Sequence, residues 1–160
     1  MSQVTKLESK LESKSEDKHI ELHGFQFYLA GHFYHNPTPS KKSYKWDGES
    51  KPIHLSLELL DRKTDAEEEL AYLVTVNGHP AYVGEFSYTL RDRWLKTEYY
   101  TWHHKDHLID DAIKNGDNIE LWLLLDSIVE LPNGVKLNIS KSVEHHLLKN
   151  QNFDWNKRNN

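Results

Sequence analysis

The stretch LAYLVTVNGHPAYVGEF, residues 70–86, constrains this chain more than any other. Asn-Gly between two apolar runs is a strong hairpin signal, because the tightest antiparallel turns need two successive residues at positive φ. Leu70 to Val76 therefore reads as one strand and Ala81 to Val83 as its return. Tyr72 and Tyr82 stand ten residues apart around the turn. Side chains alternate between faces along a strand, so the two phenols can converge on one face of the hairpin. A plain hairpin has no need of two such tyrosines. Nor does it need the Gly84-Glu85 pair and the arginine-bearing segment, Arg91 and Arg93, that follow at once.

The regions on either side supply further elements. HIELHGFQFYLAGHFYH, residues 19–35, is aromatic-rich and partly alternating, and suggests two strands turning near Gly31. KPIHLSLELLDRK alternates Ile53, Leu55, Leu57 and Leu59, as a strand with one buried face does. Ser87 or Thr89 can cap a helix through Leu90, Arg93 and Trp94. HKDHLIDDAIKNG aligns Leu108, Ile109, Ala112 and Ile113 on one helical stripe and stops at Gly116. NIELWLLLDSIVEL reads as one strand buried on both faces, followed by a Pro-Asn-Gly turn. ISKSVEHHLLKN reads as an amphipathic helix with Val143, Leu147 and Leu148 inward. Residues 1–18, with the repeat KLESKLESK, read as a solvated tail or frayed helix, or alternatively as a dimerising or DNA-following arm. The fold class expected is α+β, with a β-β-α-α-β-α core over 67–160 and a mostly β extension over 19–66.

Composition narrows the chemistry. The chain has no cysteine, which removes disulfides, thiolate zinc sites and cysteine nucleophiles, and fits a reducing compartment. No apolar run approaches the roughly 20 residues of a membrane span, and the first residues lack the apolar stretch of a secretory signal. A soluble, cytoplasmic protein is expected. With 20 Lys+Arg against 25 Asp+Glu the net charge is −5, which counts against nucleic acid unless basic groups gather on one face.

The order and spacing of these pieces resemble the GIY-YIG nuclease family over residues 68–160. The first motif appears as LAY ending at Tyr72, and the second as YVG beginning at Tyr82. L-x-x-R follows at Leu90 to Arg93, then SVEHHLL with Glu144, and DWNKR with Trp155-Asn156. The resemblance implies a GIY-YIG-type core and a metal-dependent endonuclease, more similar to a restriction enzyme than to a repair subunit. It implies catalytic roles for Tyr72, Tyr82, Arg93, Glu144 and Asn156. One tyrosine would orient or deprotonate the attacking water while the other holds the phosphate. Arg93 would offer a planar fork to a phosphoryl oxygen. Glu144 would anchor Mg²⁺, or Mn²⁺ in its place, since such an ion needs only one or two carboxylates beside substrate oxygens and waters. Double-stranded DNA is the partner implied, and a palindromic target would favour a homodimer.

The chain departs from the family's pattern in several places. Leu70 replaces the glycine that opens the first motif, Glu85 stands where relatives carry a hydroxyl or lysine, and Thr97 stands where they carry a general base. Tyr99, Tyr100, His103 or His104 are the substitutes at hand. Arg91 and Arg93 sit about 200° apart on a helix and cannot share one task; Arg93, three after Leu90, is the one selected. Lys41, Lys42 and Lys45 in an aromatic-flanked loop, with Lys96, His103 and His104, are the candidate DNA contacts. Of His145 and His146, one is expected to face solvent and the other the substrate. Each residue also has a plain structural reading. Two alternatives stay open: a non-catalytic nucleic-acid- or protein-binding module, and an unrelated small α+β protein.

Overall fold

A computed structural model describes residues 18–37, 41–44, 50–53, 55–95, 100–101 and 104–156. Its strands, in chain order, are β1 (His19–Leu22), β2 (Phe25–His35), β3 (Lys41–Tyr44), β4 (Ser50–Ile53), β5 (Leu55–Leu59), β6 (Glu68–Val76), β7 (His79–Thr89), β8 (Tyr100–Thr101), β9 (Ile119–Leu123), β10 (Ile128–Glu130) and β11 (Lys136–Asn138). The helices are α1 (His104–Lys114) and α2 (Ser140–Asn150). Short helical turns form at Arg62–Ala66, Arg91–Leu95 and Asp154–Asn156.

The Asn-Gly hairpin forms where the sequence places it. Asn77 lies at φ 51° and Gly78 at φ 86°, and β6 pairs antiparallel with β7. The sheet around it is larger than expected. Six strands join in the order β1-β2-β9-β6-β7, with β5 also on β2. The long strand β2 carries β1 along its first half and β5 along its second, and gives its other edge to β9. β9 in turn pairs with β6, so the latest strand of this sheet lies between two earlier ones. Two smaller sheets, β10-β11 and β4-β3-β8, stand outside it.

This corrects the expected fold class. The protein is mostly β and is built on a six-stranded antiparallel sheet, not on a GIY-YIG-type β-β-α-α-β-α core of α+β class with an appended β extension. Two physical causes are visible. Strands of the first 60 residues find partners in the same sheet through β9. Among the described residues, the segment after β7 is a five-residue π-helical turn, Arg91–Leu95, with Thr89 Oγ1 accepting from the Asp92 N–H at its start. Two further readings change. The first turn falls at His23-Gly24 (φ 51° and 84°), not near Gly31. Gly31 lies within β2, where a Cβ would collide with the Glu58 carbonyl oxygen, so the close approach of β5 demands glycine. Leu148 of α2 is 41% exposed and does not face inward.

Apolar side chains cover both faces of the sheet. On one face Leu70, Tyr72, Val74 and Phe86 pack with Leu121, Leu123, Phe33, Trp94 and Ile109 of α1. On the other, Ala71, Leu73, Val83 and Trp122 pack with Val143 and Leu147 of α2 and with Phe153. Period-two alternation along β6 sends successive residues to opposite clusters. The sheet is a middle layer, and the two tyrosines belong to the α1 face.

Candidate functional site

Gly84 explains how two phenols fit side by side. It lies directly opposite Tyr72 across the β6–β7 ladder, with Tyr82 one diagonal step away. A Cβ at position 84 would sit 2.6 Å from Tyr72 Cζ and Oη and 2.8 Å from Tyr82 Cε1. The bare glycine leaves the space into which the rings lean, with centroids 6.0 Å apart and planes 29° from parallel. Tyr72 also stacks on Phe86 at 6.0 Å and meets the edge of Trp94 at 4.8 Å.

Tyr72 is buried to 1% exposure, while Tyr82 is half-buried at the rim of the same cluster. Burial pushes the Tyr72 pKa well above its ordinary 10. Arg93 pulls it down, but Tyr82, Asp106 and the hydrogen bond shared with Tyr82 all push it up. Tyr72 is thus a neutral phenol at any physiological pH, a hydrogen-bonding group and no base. Below about pH 10 both folded and unfolded chains keep this proton and stability is unaffected. Above it the unfolded chain ionises first, so stability falls as pH rises. Denaturant melts between pH 9 and 11 are expected to show that decline, at about those values. Tyr72→Phe should flatten it, leaving the part due to Tyr28, whose pKa burial and Asp126 also raise.

Arg93 and Arg91 are sorted by the short turn. Arg91 points outward and binds Asp65 through Nε (3.1 Å) and Nη2 (2.7 Å), in an ion pair open to solvent. Arg93 turns inward. Its Nη2 donates to Asp106 Oδ1 at 2.9 Å, with side-chain exposures of 11% and 0%, and its guanidinium lies 4.6 Å from the Trp94 ring centre. Asp106 is the residue the sequence reading missed. It precedes Ile109 by three and Ile113 by seven, so it stands in register with the apolar stripe of α1. A carboxylate in that register marks a buried pair.

Asn156 is placed by a different device. β7 is the outer strand of the sheet among the described residues, and the backbone groups of Val83 face its outer edge, away from β6. The Asn156 carboxamide meets them there, its Oδ1 accepting from the Val83 N–H and its Nδ2 donating to the Val83 carbonyl, each at 3.0 Å. Trp155 beside it packs against the tyrosine cluster. Asn156→Ala is expected to cost about 1–2 kcal/mol in urea melts. Asn156→Asp should fare no better, since it loses the donor and sets a carboxylate oxygen against a carbonyl.

Tyr72, Tyr82 and Arg93 therefore share one cluster, and Asn156 is strapped to the strand that carries Tyr82. Glu144 is half-buried on the flank of α2, the helix whose Val143 and Leu147 cover the other face. His146 packs against His23 and Phe25 at the first turn, away from the tyrosines. Lys45, Lys96, Thr97, Tyr99 and His103 lie outside the described residues, as do the side chains of Lys41, Lys42, Tyr100 and His104. Among the described residues no three His, Asp or Glu side chains are grouped to hold a metal ion. A groove of about 410 Å³ bordered by Tyr34, Glu58, Arg62 and Leu95 contains none of the selected residues. No helix of the described residues is long and apolar enough to cross a membrane. Compared with known proteins, the chain matches no family model, no curated protein and no solved structure.

Proposed function

We propose that the chain is a metal-dependent endonuclease that hydrolyses phosphodiester bonds in double-stranded DNA, in the manner of a restriction enzyme of the cytoplasm. One observation carries the reading: Tyr72, Tyr82 and Arg93, selected by order along the chain, meet in a single aromatic cluster beside a strand that Asn156 secures. In this reading Tyr82, at the rim, presents its hydroxyl to the in-line water or a phosphoryl oxygen. Tyr72 beneath it stays protonated and holds the Tyr82 ring in place. Arg93, fixed by Asp106, sets a positive charge near the phosphate without having to reorganise during the reaction. Glu144 would hold the Mg²⁺ or Mn²⁺ ion, because one carboxylate suffices for an ion that otherwise takes substrate oxygens and water. When bound, the ion would offset charge on the phosphoryl group and the departing oxygen.

The test is plasmid cleavage by the purified full chain with Mg²⁺ or Mn²⁺, wild type against Glu144→Ala. The wild type is expected to nick or linearise the plasmid. The variant should lose more than about a hundredfold in rate while keeping its circular dichroism spectrum and melting midpoint. Normal turnover by Glu144→Ala would refute the metal assignment.

A second reading is a non-catalytic nucleic-acid- or protein-binding module. Its support is that Tyr72 is fully buried and that Asp106 already neutralises Arg93, so both side chains serve the core. A folded wild type that cleaves none of several diverse DNAs with either ion selects this reading.

A further inference from the structure

β5 joins the sheet along one edge only, pairing with β2 and with no other described strand. The Leu60 N–H donates to the Ala30 carbonyl at 2.9 Å, one step beyond the Gly31–Leu59 pair. That bond sets the phase of the ladder. In an antiparallel pair every second residue exchanges both backbone bonds with its partner, so Leu60, Glu58 and Ser56 turn their N–H and C=O toward β2. Leu57 and Leu59 turn theirs the other way, onto the outer edge. Among the described residues no backbone group meets them there.

The groove of about 410 Å³ lies at this edge. Three consecutive residues of β5 line it, Leu57, Glu58 and Leu59, together with Tyr34, Arg62 and Leu95. Its volume is that of a ligand cleft. Leu57, Leu59 and Leu95 give it an apolar wall. Two of the charges around it are engaged, Glu58 by His32 Nε2 at 3.3 Å and Asp65 by Arg91 at 2.7 Å. Arg62 is exposed and pairs with no carboxylate of the described residues, so it is the charge that the groove presents.

We propose that this groove binds an extended acidic segment of a partner protein, added as a strand to the outer edge of β5. Apolar side chains of the segment would rest on Leu57, Leu59 and Leu95, and a carboxylate would reach Arg62. The backbone selects the kind of polymer. A donor and an acceptor recur at every second residue, a repeat of about 6.8 Å, and an extended polypeptide offers their complements at the same repeat. The phosphate backbone of a nucleic acid brings acceptors and would leave the Leu57 and Leu59 carbonyls unpaired. Charge then selects among peptides, since a carboxylate gains Arg62 and a lysine in its place is repelled. The inference does not depend on nuclease activity, and its test reads binding.

The probe is a fluorescein-labelled heptapeptide, five alternating valines and threonines followed by two glutamates, titrated with the full chain. Saturable binding at micromolar concentration is expected in fluorescence anisotropy. Methylating the peptide nitrogens at every second residue should weaken binding more than about tenfold in one phase and be tolerated in the other, because only one set of its amides faces β5. Amide exchange at Leu57 and Leu59 should slow on binding, while Ser56 and Glu58, already bonded to β2, should not change. Arg62→Glu, at an exposed position, should keep the melting midpoint, lose the probe and bind instead a peptide with lysines in place of the glutamates. No saturable binding up to about 1 mM probe, equal losses from both methylation phases, or an Arg62→Glu variant that binds the probe as well as wild type would overturn the proposal. So would Leu57 and Leu59 amides as protected in the free chain as that of Glu58. In that case protection that rises with protein concentration identifies a second copy as the occupant, and protection independent of it identifies a segment of the same chain.

Discussion

Asp106→Ala is expected to destabilise the protein by about 3–5 kcal/mol, the usual cost of removing one partner from a buried ion pair. Asp106 is fully buried and Arg93 nearly so. Truncating the carboxylate leaves a guanidinium beside Trp94 and Tyr72 without the countercharge 2.9 Å away. Against a total stability of about 5–15 kcal/mol for a domain of this kind, that is a large share. Arg93→Ala should cost a similar amount by removing the cation that pairs with the buried carboxylate. The double variant Arg93→Met with Asp106→Leu should recover most of the loss, because removing both charges together avoids an unpaired ion. Urea melts of the four proteins give the coupling directly, and simply additive losses would contradict a shared pair. Arg91→Ala supplies the contrast. Its pair with Asp65 is open to solvent, so the loss should stay within about 1 kcal/mol. Two arginines two positions apart would then differ severalfold in what they contribute.

Gly84→Ala is the second large effect, and its sign is the informative part. In an ordinary strand, replacing glycine by alanine stabilises, since glycine loses more freedom on folding and packs nothing. Here the new methyl would overlap the Tyr72 and Tyr82 rings, so a loss of about 1–3 kcal/mol is expected instead. Tyr82 can swing toward solvent, but Tyr72 is enclosed by Phe86 and Trp94 and cannot move aside. The same substitution in a Tyr72→Leu background should therefore cost much less. Near-ultraviolet circular dichroism would report the disturbed ring stack independently of the denaturation midpoint. A Gly84→Ala protein as stable as wild type would show that the rings are not held in this arrangement.

These two cases also mark how far the sequence could be read. The hairpin and its tyrosine pair were legible because both rest on local rules, a positive-φ turn and a period of two. The buried stripe of α1 and the inward Val143 and Leu147 of α2 follow from helical spacing in the same way. Pairing between distant strands has no such local signature, so the insertion of β9 between β2 and β6 is not legible in the sequence, and the mostly β fold class with it. The run NIELWLLLDSIVEL looked like one buried strand because its apolar content is continuous. Residues 124–127 interrupt it, and the ribbon begins beyond them. Gly31 reads as a turn because glycine signals turns and close approaches alike, and the fold uses it for a close approach. Asp106 escaped notice because its partner lies thirteen residues back, and only the docking of α1 brings the two together. The strap from Asn156 to Val83 spans 73 residues, and the order of motifs, not any spacing rule, singled it out.

The position of β9 has a consequence for how the protein is made. Translation delivers β1, β2, β5, β6 and β7 well before residues 119–123 exist. Until those five residues clear the ribosome, β2 and β6 each hold an open edge and the apolar surface around it. The nascent chain must pass through this aggregation-prone interval before the keystone strand arrives to close both edges at once.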